Sequence, residues 1–381
     1  MPRFPAIAPS AESVRGGVYS GLTRRPASGR EPIPLHIGDT WLPPADGCRM
    51  QDFSISDHPH MHRYSPVPGY PQLRARIAEH HARRCGVETR ADQVLVTAGA
   101  TAGLAAAVGA LIAPGDEVLL SAPYWPLIAG SVQAFHAQPV AVPILGNALQ
   151  ADQAAACLAE HANTRTAAVY WNTPNNPTGR VIPRDWLEAM VDWAREQQLW
   201  IFSDEVYEDY VYQGEHVYTR QLAPERTISA HSFSKAYGMA GNRVGYLVGP
   251  REAIAAIERV MTNIAYSACS TSQLAAMAAL DKAGPWLASA RQQYAELGRQ
   301  AAETLGVAPP QGGTFLFLDV GAQLDKRGLD GWLGDVAEAG VLLAPGPSFG
   351  PYPHHARLCF TATEPDKVRE GVAIVARFLR P

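Results

Sequence analysis

From Val94 onward, short apolar runs alternate with longer segments whose apolar positions recur at helical-turn spacing. Val94–Thr97, Glu117–Ser121, Val140–Val142, Ala167–Trp171, Leu199–Ser203, Thr227–Ala230 and Val244–Val248 read as seven strands. Between the first five, Thr101–Ile112, Pro126–Phe135, Gln150–His161 and Pro183–Gln197 read as helices, two of them opened by a proline. Pro71–Arg84 reads as a further helix ahead of the series. Strands this apolar, joined by helices, imply a mostly parallel sheet covered on both faces. Such sheets bind ligands at the carboxyl ends of their strands.

After residue 250 the pattern changes. Arg251–Ile264, Ser272–Ala283 and Pro285–Leu305 are long helical segments. Strands at Phe315–Asp319, Val341–Ala344 and Arg357–Thr361 then alternate with helices at Leu329–Ala339 and Pro365–Leu379. The expected fold class is α/β: a large domain with a mostly parallel seven-stranded sheet, plus a smaller α+β domain. The large domain is expected over residues 49–284. Residues 1–48, rich in Pro, Gly and Arg with one strand-like piece at Ile33–Ile37, read as an arm that joins residues 285–381 in the small domain.

Composition narrows the function. The chain has 381 residues, 47% of them hydrophobic, enough for a large core. A net charge of -4 without long runs of one sign gives no footprint for nucleic acid. Five scattered cysteines, with no CxxC pair, suggest neither a disulfide framework nor a zinc site and fit a reducing cytoplasm. No apolar run approaches the ~20 residues that span a bilayer. His58, His60 and His62 alternate in a Pro-rich loop, but without matching Cys or carboxylates the loop reading is preferred and no metal is expected.

The chemistry gathers at Ser232-Phe233-Ser234-Lys235. Only four lysines occur in the chain, and Lys235 is the first of them. Lys282, Lys326 and Lys367 sit in polar or helix-end settings and read as surface charges. Lys235 follows an apolar strand and two hydroxyls and precedes a glycine-punctuated loop ending at Arg243. A desolvated lysine can lose its proton and attack a carbonyl, which arginine cannot. The plain alternative is a solvated loop lysine.

Three other stretches fall at strand ends. Ala98-Gly99-Ala100-Thr101 joins a strand to a helix, where bare amides suit one phosphate. It is neither GxGxxG nor a Walker loop, so no dinucleotide or nucleoside triphosphate is indicated. Asn172-Thr173-Pro174-Asn175-Asn176-Pro177 stacks amides past a strand end. Ser203-Asp204-Glu205-Val206-Tyr207 puts a carboxylate at the end of an apolar strand, where a positively charged ring nitrogen would suit it, although a helix-capping role is equally common. With Trp125 as a ring-facing aromatic, these are the parts that pyridoxal phosphate (PLP) requires.

On these motifs the chain resembles the fold type I PLP-dependent aminotransferases of the class I/II, aspartate-aminotransferase-like family, from about Ile33 to Phe360. The resemblance implies that Lys235 is the Schiff-base lysine and proton carrier, and that Asp204 faces the pyridine nitrogen. It puts Asn176 and Tyr207 at the ring 3-oxygen and Trp125 on the ring face. Gly99, Ala100, Thr101, Ser232, Ser234 and Arg243 would bind the phosphate, joined by Tyr64 from a neighbouring subunit of a homodimer. Arg357 and Gly38 would hold the substrate α-carboxylate, with Asn176 beside them. Trp41 and Tyr19 would shape the side-chain pocket.

Some features depart from the family. Gly38 is followed by Asp39-Thr40-Trp41, and His231 precedes Ser232; both mark candidate specificity positions. Thr101 stands where relatives acting on acidic side chains often carry a cation, although Arg15 or Arg24 offers a substitute. The expected activity is therefore transfer of an amino group between a non-acidic L-amino acid, apolar or aromatic, and a 2-oxo acid. The alternatives are a C–S β-lyase or other carbanion chemistry on the same cofactor, a PLP-binding regulatory module, and a non-catalytic relative.

Overall fold

The structure, a computed structural model, describes residues 31–145 and 150–379 together with residues 11, 14 and 29. Tyr19, Arg15 and Arg24 lie outside the described residues.

Helix α1 (Pro71–Cys85) precedes the sheet. The sheet and its helices then follow in order: β1 (Val94–Thr97), α2 (Gly99–Leu111), β2 (Glu117–Ala122), α3 (Pro126–Ala134), β3 (Gln138–Pro143), α4 (Ala151–His161), β4 (Thr166–Asn172), α5 (Arg184–Glu196) and β5 (Trp200–Asp204). Two single-turn helices, α6 (Thr219–Leu222) and α7 (Phe233–Ala236), flank β6 (Thr227–Ser232), and β7 (Gly245–Val248) completes the sheet. Its strand order is β1-β7-β6-β5-β4-β2-β3. β3, β2, β4, β5 and β6 run parallel, whereas β7 is antiparallel to both of its neighbours. β1, β2 and β7 are buried along their whole length. That explains why apolar residues follow one another in them, as in Val94–Val96 and Val118–Leu120, rather than alternating.

Register fixes the working edge of this sheet. Asn172 at the end of β4 lies opposite Asp204 at the end of β5, and Asp204 lies opposite Ala230 in β6. Three adjacent parallel strands therefore deliver their last residues to one crevice.

The chain continues with α8 (Arg251–Ile264), α9 (Ser270–Lys282), α10 (Gly284–Leu305), β8 (Phe315–Asp319), α11 (Gly328–Glu338), β9 (Ala344–Pro345), β10 (His355–Cys359) and α12 (Pro365–Arg377). β8, β10 and β9 form a separate antiparallel sheet. Its core joins Leu297 and Ala301 of α10, Leu316, Val336, Leu358 and Val372, and Leu35 from the N-terminal segment. The N-terminal segment then crosses over: Cys48 is buried with Leu73, Ile77, Val94 and Ala276 against the larger sheet.

Three expected strands differ. Ile33–Ile37 forms one bridge, Ile33 to Val341, rather than a strand. Pro34 has no N–H to extend a ladder, and Leu35 N turns back onto the Ile33 carbonyl. Of the expected Val341–Ala344 strand only Ala344 joins the sheet, continued by Pro345, while Val341 bridges Ile33 and Leu342 N bonds Ile33 O. The strand expected at Arg357–Thr361 runs two residues earlier.

Candidate active site

A cavity of about 310 Å³ opens where the two sheets' packing units meet. Its walls include Ala100, Thr101, Trp125, Asn172, Asn176, Asp204, Tyr207, Ser232, Ser234, Lys235 and Arg243 from the larger unit. Gly38 and Arg357 line it from the smaller one. Leu104, Leu127 and Val206 supply apolar wall.

One end is built for an anion. α2 begins at Gly99, whose φ of +80° is left-handed, a conformation natural to glycine. A Cβ there would run into the Arg243 guanidinium, so the missing side chain makes room for the arginine beside the helix start. Arg243 itself adopts φ 51°. Ser232 Oγ accepts from Ser234 N at 3.1 Å and caps α7, which positions both hydroxyl residues on the cavity wall. A cation, three hydroxyl side chains and a helix N-terminus converge on one place.

Asp204 marks the other end. It is 3% exposed, and burial pushes its carboxyl up to about 6. Tyr170 Oη donates to its Oδ2 at 2.8 Å and pulls in the opposite direction. Glu205, the rival acid in sequence, points elsewhere. It accepts from Ser203 Oγ at 2.7 Å and from Thr219 N, and pairs with His216 Nε2 at 3.2 Å. Burial raises Glu205, but the His216 contact leads the effects that bring it below the ordinary range. The carboxylate that faces the cavity is thus Asp204.

Lys235, at the end of α7, sends Nζ onto the Gly38 carbonyl and within 3.9 Å of Asp39 Oδ1. Burial lowers its pKa. Arg357 is 2% exposed; its Nη1 donates to Asn176 Oδ1 at 2.9 Å and its Nη2 to His36 O at 2.6 Å. Its guanidinium lies 4.3 Å from the Phe315 ring centroid and 4.7 Å from that of Phe349, a desolvated slot that holds the planar group in place. Because Arg357 takes the Asn176 oxygen, the Asn176 amide nitrogen is left for another acceptor. Burial raises the Tyr207 phenol, whose ring meets Phe315 edge-on at 5.6 Å.

Besides Gly99, which stands behind Arg243, three expected residues lie apart from the cavity wall. Trp41 packs edge-to-face on Tyr294 at 4.7 Å and fills the join between packing units rather than the pocket. Tyr64 is 86% exposed and touches Tyr266, with ring centroids 5.0 Å apart. His231, a suspected specificity position, lies behind the sheet. It stacks on Tyr246 and bonds Glu208 at 2.8 Å, because alternate β6 residues face opposite ways. Tyr170 was missed in sequence. The available signal was its i, i+2 spacing to Asn172, which puts both on one face of β4.

The family model for aminotransferase class I and II matches residues 39–375. The chain belongs to this family. It is 36% identical to an arginine–pyruvate transaminase of Pseudomonas aeruginosa over 268 residues, 68% of this chain and 67% of the relative. It is 32% identical to an aspartate/prephenate aminotransferase of Thermus thermophilus, with 83% of each chain aligned. Among solved structures, the aspartate aminotransferase from Thermus thermophilus with maleate superposes with a TM-score of 0.88 at 26% identity, covering 99% of this chain and 100% of that one.

This family of transaminases uses pyridoxal phosphate. The residues present fit that group. Gly99 leaves space for Arg243 beside a helix N-terminus, as a phosphate needs, and a buried carboxylate with no cation bonded to it among the described residues suits a protonated ring nitrogen. Among the described residues, no helix is long and apolar enough to cross a membrane. Nor does any group of three or more His, Cys, Asp or Glu among them hold a metal-like arrangement.

Proposed function

We propose that this aminotransferase takes its amino group from an L-amino acid with a non-acidic side chain, apolar or aromatic, and passes it to a 2-oxo acid. The observation that carries this reading is the cation inventory. Among the described residues, the cations on the cavity wall are Lys235, Arg243 and Arg357. Each has a task, which leaves none for a second carboxylate. Thr101, Leu104, Leu127 and Val206 are neutral. The printed names of the relatives span arginine, aspartate and prephenate, and each describes only the protein that bears it.

Bound pyridoxal phosphate supplies an electron sink that weakens the bonds at the substrate Cα. The chain's residues do the rest. Ala100, Thr101, Ser232, Ser234 and Arg243 would hold the phosphate. Asp204, buried and braced by Tyr170, would keep the ring nitrogen protonated. Asn176 and Tyr207 would bond the ring oxygen, and Trp125 would cover the ring face. Arg357 clamps the substrate α-carboxylate with a planar, pre-oriented pair of donors, and the backbone of Gly38 closes that subsite. Lys235 Nζ, kept low in pKa by burial, removes the Cα proton.

Initial rates with a panel of amino donors and one 2-oxo acid test the preference. Leucine, phenylalanine or a similar donor should exceed aspartate and glutamate by at least about 100-fold in kcat/KM, the value of one unmatched buried charge. An acidic donor matching the apolar ones would overturn it. Release of ammonia and a thiol together with pyruvate, with no amino group passed to the added 2-oxo acid, would favour the lyase.

A further inference from the structure

Asp39 has no part in holding the cofactor or the substrate in the proposed reaction. It follows Gly38 directly. Its position is fixed from three sides. Its amide donates to Ile37 O at 3.0 Å. Its carbonyl accepts from Thr361 Oγ1 at 2.6 Å and Cys359 Sγ at 3.6 Å. Its Oδ1 accepts from Thr40 N at 2.9 Å, which locks the side-chain rotamer. The same Oδ1 lies 3.9 Å from Lys235 Nζ.

We propose that Asp39 is a positioning residue for Lys235: its carboxylate and the neighbouring Gly38 carbonyl form a resting place for the ε-ammonium whenever the lysine is not bonded to the cofactor. This inference rests on the reading of Lys235 as the cofactor-binding lysine. Transamination needs such a place, because the substrate amine displaces the lysine, which stays free while the cofactor carries the amine and must return to the same carbon when the second half-reaction ends. A released lysine has a long flexible stem and a cavity to wander in. An anchor at one end of its reach shortens that search.

The charged and titratable groups facing Nζ balance one another. Burial lowers the lysine's pKa first; Asp39 and Cys359 raise it, and Arg357 and Arg243 lower it. Arg357 and Cys359 come from β10, Arg243 from the loop before β7, and Asp39 from the segment linking the two packing units. Asp39 is therefore the leading counterweight to two arginines that the substrate and phosphate require. A substrate α-carboxylate arriving at Arg357 adds negative charge on the same side, so Asp39 matters most when that subsite is empty.

The test uses the full chain freed of cofactor and, in parallel, loaded with pyridoxamine phosphate; in both forms Lys235 carries a free amine. Acetic anhydride labelling across pH, read at the Lys235 peptide by mass spectrometry, gives the midpoint of its titration. In Asp39→Asn the midpoint should fall by about one unit, the effect of removing one opposite charge at this distance from a partly exposed pair. In Asp39→Glu it should stay nearer the wild type. Loss of packing alone would leave the Asn and Glu variants equally displaced. Coincident midpoints in wild type and Asp39→Asn would overturn the proposal. Borohydride reduction of the wild type with pyridoxal phosphate separates the two claims. No adduct on Lys235 would mean that the lysine reading has failed. An adduct with coincident midpoints would mean that Asp39 alone has been misread.

Discussion

Asp204 carries an energetic conflict at the scale of one side chain. Buried without a bonded cation, its folded pKa of about 6 lies above the ~3.9 of an unfolded Asp. A group raised in the folded state stabilises below its unfolded pKa, and that contribution disappears as pH rises through the folded value. The cofactor-free chain should therefore lose stability from this group between about pH 4 and 6, by up to ~3 kcal/mol for a two-unit shift. Asp204→Asn should remove that slope, so thermal melts of wild type and variant should diverge in this window and run parallel above it. Adding pyridoxal phosphate should narrow the gap at neutral pH, because a protonated ring nitrogen pairs with the wild-type carboxylate and not with the amide. Wild-type melts with no such divergence would show that Asp204 is not held in this state. Sequence exposed Asp204 through the contrast between four apolar residues and one acid. The residue pattern alone did not separate Asp204 from Glu205; the family resemblance did. That choice follows from strand parity and from His216, which stands 11 residues beyond Glu205 and claims it.

The strand-to-helix junctions carry the proposed phosphate site, so on this reading element ends matter more than element middles. Gly99→Ala tests this. A Cβ in the left-handed region costs about 1–2 kcal/mol, and this one would also displace Arg243. The variant should bind pyridoxal phosphate at least about tenfold more weakly by spectroscopic titration, with its melt lowered less than its affinity. Unchanged affinity would remove Arg243 from the phosphate site. The strands and helices of the larger sheet were legible because burial on both faces leaves long apolar runs, as in Leu199–Phe202. The small sheet was less so. Its N-terminal partner, Ile33, is hundreds of residues away in sequence, and its ladder is cut short by Pro34 and Pro345. Trp41 misled for a related reason: an aromatic near Gly38 suits either the pocket or the seam between units, and only the position of Tyr294 decides.

Taken whole, the molecule assembles its site from two cores. Lys235, Asp204 and Arg243 stand on the larger unit, and Arg357 and Gly38 on the smaller. On the proposed reading, a substrate held by Arg357 and reacting beside Lys235 would bridge them. Part of the surface is also unaccounted for within one chain. Tyr64 is 86% exposed, Tyr266 45% and Ile264 52%, with the two tyrosines in contact. We infer that a second copy covers this patch and that Tyr64 enters its neighbour's phosphate site. Sedimentation should give about twice the mass of one chain, and Tyr64→Asp should weaken that association. A monomer at micromolar concentration would contradict the inference.

The central claim is that Lys235 carries pyridoxal phosphate through a full amino-transfer cycle. The visible absorption of the purified protein with pyridoxal phosphate tests it most directly. The wild type should show a band that bleaches when an amino acid is added and returns with a 2-oxo acid, and Lys235→Ala should show neither change nor turnover. A band that cycles equally in the variant, or no band in the wild type with excess cofactor, would contradict the account.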